Sequence, residues 1–432
     1  MKRINCNFNQ KLHQIKAQHG ICNLPGKYNL YSGEPNKSGA DLVMDIFDRM
    51  QIPTTRLKDQ RHRGYGKCLE IPFIFRDLSK DVNDPESYYF YNTDASVKDT
   101  LKVCKNVIVR LGAPSEFYEP FFSRWADDKE KFANICCNVI RHLNDGWAKG
   151  MHAGIKYFEI WNRADDIQCW QKSHEEYYQL YEVCARAIKK LHPRLKVGGP
   201  AAADCSKENK FLKGFLEYVV KNNVPCDFVS WNYYGEDPKE ALEIAKNVRR
   251  LVLDAKLPKK VEIINDEWNC MTVGEDGRLC VPNVRNMHGA AFDAAFMINM
   301  HKARMDFCTY YDCQNYVPWG GLVHHGWTYP LKPLYSFLAF SKLYNLSGVS
   351  VKTTAVGRNV YVLAAENNEK KMVLASVYQD KKDTVQVNTG VCGCKMVYLL
   401  DETHDLEEVF TTDGESFEIS VNGYSVILVE ID

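Results

Sequence analysis

Between about residues 14 and 346 the chain alternates short, nearly continuous apolar runs with amphipathic stretches of helical period. The apolar runs fall at 15–22, 54–57, 107–112, 156–161, 195–199, 228–234, 261–267 and 307–311. The helical stretches fall at 41–50, 129–146, 175–191, 211–221, 241–256, 289–302 and 333–346. Strands that are apolar on both faces and separated by helices indicate a parallel sheet covered on both sides. Eight such units predict an α/β fold, a (β/α)8 TIM barrel over residues 14–346, since that fold takes ~250 residues plus insertions. A doubly wound open sheet is the alternative, but no glycine-rich phosphate loop follows the first run. After residue 347 the texture changes. Runs at 360–365, 372–377 and 424–429 are separated by turn clusters such as Asn367-Asn368 and Asp413-Gly414. That spacing predicts a C-terminal antiparallel β-sandwich over 347–432, to which residues 1–13 could add a strand.

Composition narrows the partners. The 432 residues carry 55 basic and 55 acidic side chains, so nothing marks a nucleic-acid or membrane-surface partner. No signal peptide or bilayer-spanning run is legible, and cysteines lie mostly inside apolar segments, as at Cys136-Cys137, which fits a reducing cytoplasmic setting. Cys392-Gly393-Cys394 lacks a second pair or a nearby histidine, so no metal site and no cofactor is expected. The sandwich edge and the barrel helices leave room for a homo-oligomer.

In a barrel of this kind the active site forms at the C-terminal ends of the strands. The strand ends carry Arg56 and Asp59, then Arg110 with Glu116 beyond it, Trp161-Asn162-Arg163, Trp231-Asn232-Tyr233-Tyr234, Asp266-Glu267-Trp268-Asn269 and Tyr310-Tyr311-Asp312. Glu267 is the strongest candidate: a carboxylate there can attack an anomeric carbon. The bland reading is a carboxylate paired with a barrel arginine. The Asn162 amide suits a sugar 2-hydroxyl, but could equally cap a turn. Arg56 could hold a carboxylate ionised through a bidentate bond. Trp161, Trp231, Trp268 and Trp319 could form an aromatic floor for a sugar ring. Asn232, Tyr234 and Tyr311 complete the substrate-facing set, and Glu116 is equally readable as a surface carboxylate. His324-His325 reads better as a loop feature than as a metal or proton-transfer pair.

These residues resemble glycoside hydrolase family 39, in the clan of barrel glycosidases that use two glutamates. The likeness runs through Ile71-Pro72-Phe73-Ile74-Phe75-Arg76-Asp77, Val109-Arg110-Leu111-Gly112, Arg141-His142-Leu143-Asn144-Asp145-Gly146-Trp147, Phe158-Glu159-Ile160-Trp161-Asn162, Val197-Gly198-Gly199-Pro200 and Glu267-Trp268-Asn269. The resemblance implies a barrel with a β-sandwich and retaining hydrolysis of a β-xyloside or related carbohydrate. It implies Glu267 as nucleophile and a glutamate general acid/base directly after Trp161-Asn162. At that position stands Arg163, followed by Ala164 where the family usually has proline. A second departure is Asn232-Tyr233 on the sixth strand, where similar proteins commonly show a histidine before a tyrosine.

Arginine stays protonated and cannot cycle as an acid/base near neutral pH. Three readings follow. The chain is a glycosidase whose acid is absent or supplied by Asp165 or Asp166; or it is a catalytically impaired relative that binds glycans or serves as a partner subunit; or position 163 has been altered from a native glutamate.

Overall fold

The computed structural model describes residues 2–23, 48–59, 61–62, 65–113, 122–206, 210–257, 260–271, 282–314, 319–324 and 329–432. Glu116, His325 and most of the helix expected at 41–50 lie outside them. Nineteen strands are described, in two principal sheets and a short hairpin, β4 (Arg61–His62) with β5 (Tyr65–Lys67). The barrel comprises β2 (Ala17–Cys22), β3 (Thr55–Leu57), β6 (Val107–Leu111), β7 (Tyr157–Ile160), β8 (Lys196–Ala202), β9 (Phe228–Tyr234), β10 (Glu262–Asn269) and β11 (Phe307–Tyr310). Each pairs in parallel with its neighbours in chain order, and β11 closes onto β2.

Alternation along the strands divides the barrel into layers. On β7, Tyr157 and Glu159 point inward, while Phe158 and Ile160 join the core beneath the helices. Tyr157, Ile108, Phe228, Ile264 and Phe307 fill the lower interior as an apolar plug. Charged side chains lie above it, towards the strand C-termini.

The helices follow their sequence signals. Helix α1 (Lys129–Asp145) is capped by Asp128, whose side chain accepts from the Lys131 amide, and stops at Gly146 in the left-handed region, where no Cβ opposes the turn. Helix α2 (His174–Leu191) opens with a reciprocal capping box between Ser173 and Glu176. Helix α3 (Met287–Lys302) is apolar nearly all round, because one face lies on the barrel and the other under the second sheet.

That second sheet is mostly antiparallel. It is built from β1 (Lys2–Gln14), β12 (Val349–Val356), β13 (Val360–Glu366), β14 (Lys371–Val377), β15 (Lys382–Asn388), β16 (Lys395–Leu400), β17 (Asp405–Thr412), β18 (Ser416–Asn422) and β19 (Ser425–Ile431). The order is β17-β16-β19-β14-β13-β12-β1-β15-β18. The pairing of β1 with β15 is parallel, which a strand from the far end of the chain can adopt because no hairpin constrains it. Ile4, Cys6 and Phe8 of β1 bury with Val351, Val362, Val387, Ile419 and Val429 in a core separate from that of the barrel. No described helix is long and apolar enough to cross a membrane.

Because Ile4 is fully buried between β12 and β15, Ile4→Ala should destabilise the protein by about 2–5 kcal/mol, measured by urea unfolding.

Candidate active site

The upper barrel is organised around Arg56, which is completely buried. Its Nε and one terminal nitrogen donate to Glu159 Oε2, the former at 2.8 Å. The same terminal nitrogen donates to Asn162 Oδ1 at 2.9 Å and lies 2.9 Å from Asp266 Oδ2. The other terminal nitrogen donates to Glu267 Oε2 at 2.7 Å. One guanidinium thus spans three carboxylates from β7 and β10.

Two consecutive residues, Asp266 and Glu267, reach this one cation because β10 is irregular. Asn265 pairs with Trp231 of β9, but the next partner, Asn232, faces Glu267, so Asp266 is the extra residue of a bulge. A bulge breaks alternation and turns two neighbouring side chains to one side.

Glu267 is 2% exposed and has three donors. Besides Arg56, Lys58 Nζ lies 2.6 Å from Oε2, and the Tyr234 hydroxyl donates to Oε1. Burial alone would raise the carboxyl pKa, but Lys58, Arg56 and Arg163 outweigh it and hold Glu267 well below the usual carboxylate range. Burial and the Glu267 charge push the Tyr234 phenol well up, so it stays a donor. Asp266 behaves oppositely. Burial raises its pKa well above the ordinary value; Arg56 opposes this, and a hydrogen bond with Glu159 reinforces it. Asp266, beside Glu159, therefore favours its protonated form while Glu267 stays charged. Asn232 Nδ2 donates to Asp266 Oδ1 at 3.1 Å, so Asn232 supports this pair from β9.

Arg163 follows β7 in a left-handed conformation, φ 50°, as does Trp161, φ 65°. The Trp161 amide donates to Leu111 O and the Arg163 amide to Ala201 O, which ties the turn to both neighbouring strands. The Arg163 guanidinium lies 5.8 Å from the Tyr234 ring centroid and 2.8 Å from Asp166 Oδ2, with 30% of the side chain exposed. Burial disfavours its charge, but Cys169, Glu267, Tyr234 and Asp166 overcome that and keep it protonated. It therefore faces the same space as Glu267, from the solvent side.

Both aspartates of the following loop have partners of their own. Asp165 accepts the amides of Ala203 and Asp204 on its two oxygens, each at 2.9 Å, so it caps the loop after β8. Asp166 is paired with Arg163.

The expected aromatic floor is corrected at three of its four positions. Trp161 packs against Phe132 and Trp170, and its indole donates to Cys169 O. Trp268 stacks on Phe296 at 4.0 Å, and Trp231 is fully buried. All three belong to the core beneath the helices, because outward strand positions are where large apolar groups are covered. Trp319 is half-buried and stacks at 6.4 Å on Tyr311, which meets Tyr234 edge-on at 6.4 Å. Its carbonyl accepts from Asn269 Nδ2 at 3.1 Å. Tyr234, Tyr311 and Trp319 form the aromatic wall.

Lys58 was not singled out from the sequence, yet it touches Glu267, sits 4.4 Å over the Tyr311 ring and lies 3.8 Å from Asp59. No strand alternation marks it, because it lies one residue past the three-residue β3. Asp59 accepts from the Tyr311 hydroxyl at 2.9 Å. Glu159 and Asp266 stand inside sequence motifs, and the fold brings both against Arg56.

Known proteins share this arrangement at the level of the fold. A glucosidase from Croceicoccus marinus superposes with a TM-score of 0.75 at 20% identity, covering 99% of both chains. A family 39 β-xylosidase from Caulobacter crescentus superposes at 0.71 and 15% identity, covering 100% of this chain and 99% of that one. In sequence, a β-xylosidase from Geobacillus stearothermophilus is 25% identical over 253 residues, 51% of this chain, and the match spans about half of that relative, 49%. A β-xylosidase from Caldicellulosiruptor saccharolyticus is 23% identical over 391 residues, 80% of this chain and 79% of the relative. The pattern of Glycosyl hydrolases family 39 matches residues 63–316, more than half of the chain, and this protein belongs to that family.

Proposed function

We propose that the protein hydrolyses a β-xyloside or related glycoside by a retaining route, with Glu267 as nucleophile and no proton-donating side chain at the position of Arg163. The observation that carries this reading is Glu267 itself. It is buried, held ionised by Lys58 and Arg56, and oriented by Tyr234 beside an aromatic wall. The β-xylosidase relatives supply the substrate class.

In this mechanism a Glu267 oxygen bonds to the anomeric carbon as the bond to the leaving oxygen breaks, giving a glycosyl–enzyme ester and a departing oxyanion. Arg163 offers that oxyanion a fixed positive charge in place of a proton. Water then attacks the same carbon, releases Glu267 and transfers a proton to the medium. Asn162 turns Oδ1 to Arg56, which orients its Nδ2 as a donor for a sugar hydroxyl. The natural leaving group in this reading is a good one, or carries negative charge of its own.

A second reading rests on the saturation of Glu267. Three donors on its two oxygens stabilise the ground state of the nucleophile, and Asp165 and Asp166 are both engaged elsewhere. A site so arranged could bind a glycan without cleaving it. Aryl β-xylosides with graded leaving groups separate the two. Turnover should rise steeply with leaving-group acidity and vanish in Glu267→Gln. Arg163→Glu should raise kcat/KM on a poor leaving group by about 10²–10⁴-fold. Binding without turnover of even the most activated glycoside decides for the second reading.

The pH profile provides an independent check. Glu267 is depressed, so the active carboxylate persists as pH falls through the ordinary glutamate range near ~4.3, and the acid limb of kcat/KM lies below it. Lys58→Met removes a stabilising cation and should move that limb upward. Arg163 does not deprotonate below about pH 12, so the alkaline limb of a usual acid/base should be missing and should appear in Arg163→Glu.

A further inference from the structure

Outside the barrel mouth, three side chains with metal-ligating atoms converge where β9, β10 and α3 meet the second sheet. Glu236 lies two residues past β9, Cys270 directly follows β10, and His288 is the second residue of α3. One ligand atom from each lies within 4.8 Å of the others. Cys270 Sγ is 3.6 Å from His288 Nδ1. A tetrahedral zinc ion, with bonds of ~2.0–2.3 Å, needs ligand atoms about 3.3–3.6 Å apart, so the sulfur–nitrogen pair is already at bonding separation.

The surroundings are those of held ligands. The far ring nitrogen of His288, Nε2, is 2.8 Å from the Tyr378 hydroxyl, which in turn donates to Glu236 O at 2.7 Å. With that hydroxyl committed to the carbonyl, Nε2 carries the imidazole proton and Nδ1 is left as the lone-pair atom facing the sulfur. Asn283 Nδ2 donates to Glu236 Oε1 at 2.9 Å and fixes the carboxylate. Tyr424 closes on the imidazole edge-on at 4.8 Å. Burial lowers the His288 pKa, which favours the neutral, ligating form.

We propose that Glu236, Cys270 and His288 bind a zinc ion, leaving the fourth position to water. A thiolate, an imidazole and a carboxylate together select zinc over magnesium or calcium. Binding displaces the Cys270 thiol proton to solvent, and Sγ and Nδ1 exchange their mutual contact for bonds to the metal. The ion would pin the segments just beyond Tyr234 and Glu267 to the second sheet through Tyr378.

The test uses the full chain, stripped with chelator and dialysed against zinc or cobalt. Wild type should retain one zinc per chain, gain thermal stability with zinc, and show a thiolate-to-cobalt charge-transfer band. Cys270→Ser and His288→Gln should lose the band and the zinc. Glu236→Gln, the milder change, should weaken retention. A double Cys392→Ser/Cys394→Ser variant, which removes the exposed thiols, should keep both. The proposal is overturned if wild type shows no band and retains no zinc, leaving a thiol–imidazole hydrogen bond only. It is equally overturned if the metal follows the exposed pair. Neither result bears on glycoside turnover, which Glu267→Gln reads separately.

Discussion

Arg56 is the constraint on which the upper barrel depends. A guanidinium with no solvent contact must have its donors satisfied by anions or amides, and its five donors in a rigid fork fix where those acceptors stand. Glu159 and Asn162 of the β7 region and Asp266 and Glu267 of β10 are all placed by it. Breaking such a buried network typically costs about 3–5 kcal/mol, because the carboxylates left behind are uncompensated. The same fork also assigns protonation. Three carboxylates are not all readily charged around one cation in a buried site: burial favours the protonated form of Asp266, while Lys58 and Arg56 keep Glu267 ionised. The acceptor that keeps its full charge is Glu267, the one that faces the open side. A structural pairing and a functional polarisation are here one interaction.

Much of this was legible in the sequence, and the reason is periodicity. Near-continuous apolar runs separated by helices define the barrel, and strand ends then select Arg56, Asn162, Arg163, Tyr234, Glu267 and Tyr311, which the structure brings together. The failures share a physical cause, the direction of side chains at irregular strand ends. Trp161 and Trp268 flank site residues in sequence but point into the helix layer. Asp266 joins the site only because a bulge breaks alternation, and no residue type announces that bulge. Lys58 lies past the end of a three-residue strand, too short for a pattern to declare its face. The convergence of Glu236, Cys270 and His288 was invisible for a different reason: its members are 34 and 18 residues apart and belong to three elements.

The backbone around Arg163 limits what that side chain can have changed. That backbone is set by the hydrogen bond from the Arg163 amide to Ala201 O and, two residues earlier, by that from the Trp161 amide to Leu111 O, while the Trp161 side chain is locked among Phe132 and Trp170. None of these contacts involves the side chain of residue 163. The position therefore presents whatever side chain it carries to the space beside Tyr234 and Glu267, and its identity acts through charge rather than through the fold. With glutamate there, the site would hold a second titratable carboxylate near an anionic nucleophile, the arrangement that keeps one of a pair protonated. With arginine, both Glu267 and its neighbour are fixed in charge across the neutral range. The consequence is a position that cannot deliver a proton but attracts negative charge; in the proposed mechanism it favours departure of a leaving group that has become, or already is, an anion. Lys58, 2.6 Å from Glu267 Oε2, adds to that bias. Under the proposed retaining route, Arg163 thus favours glycosides whose aglycone can bear the charge that this position does not neutralise by protonation.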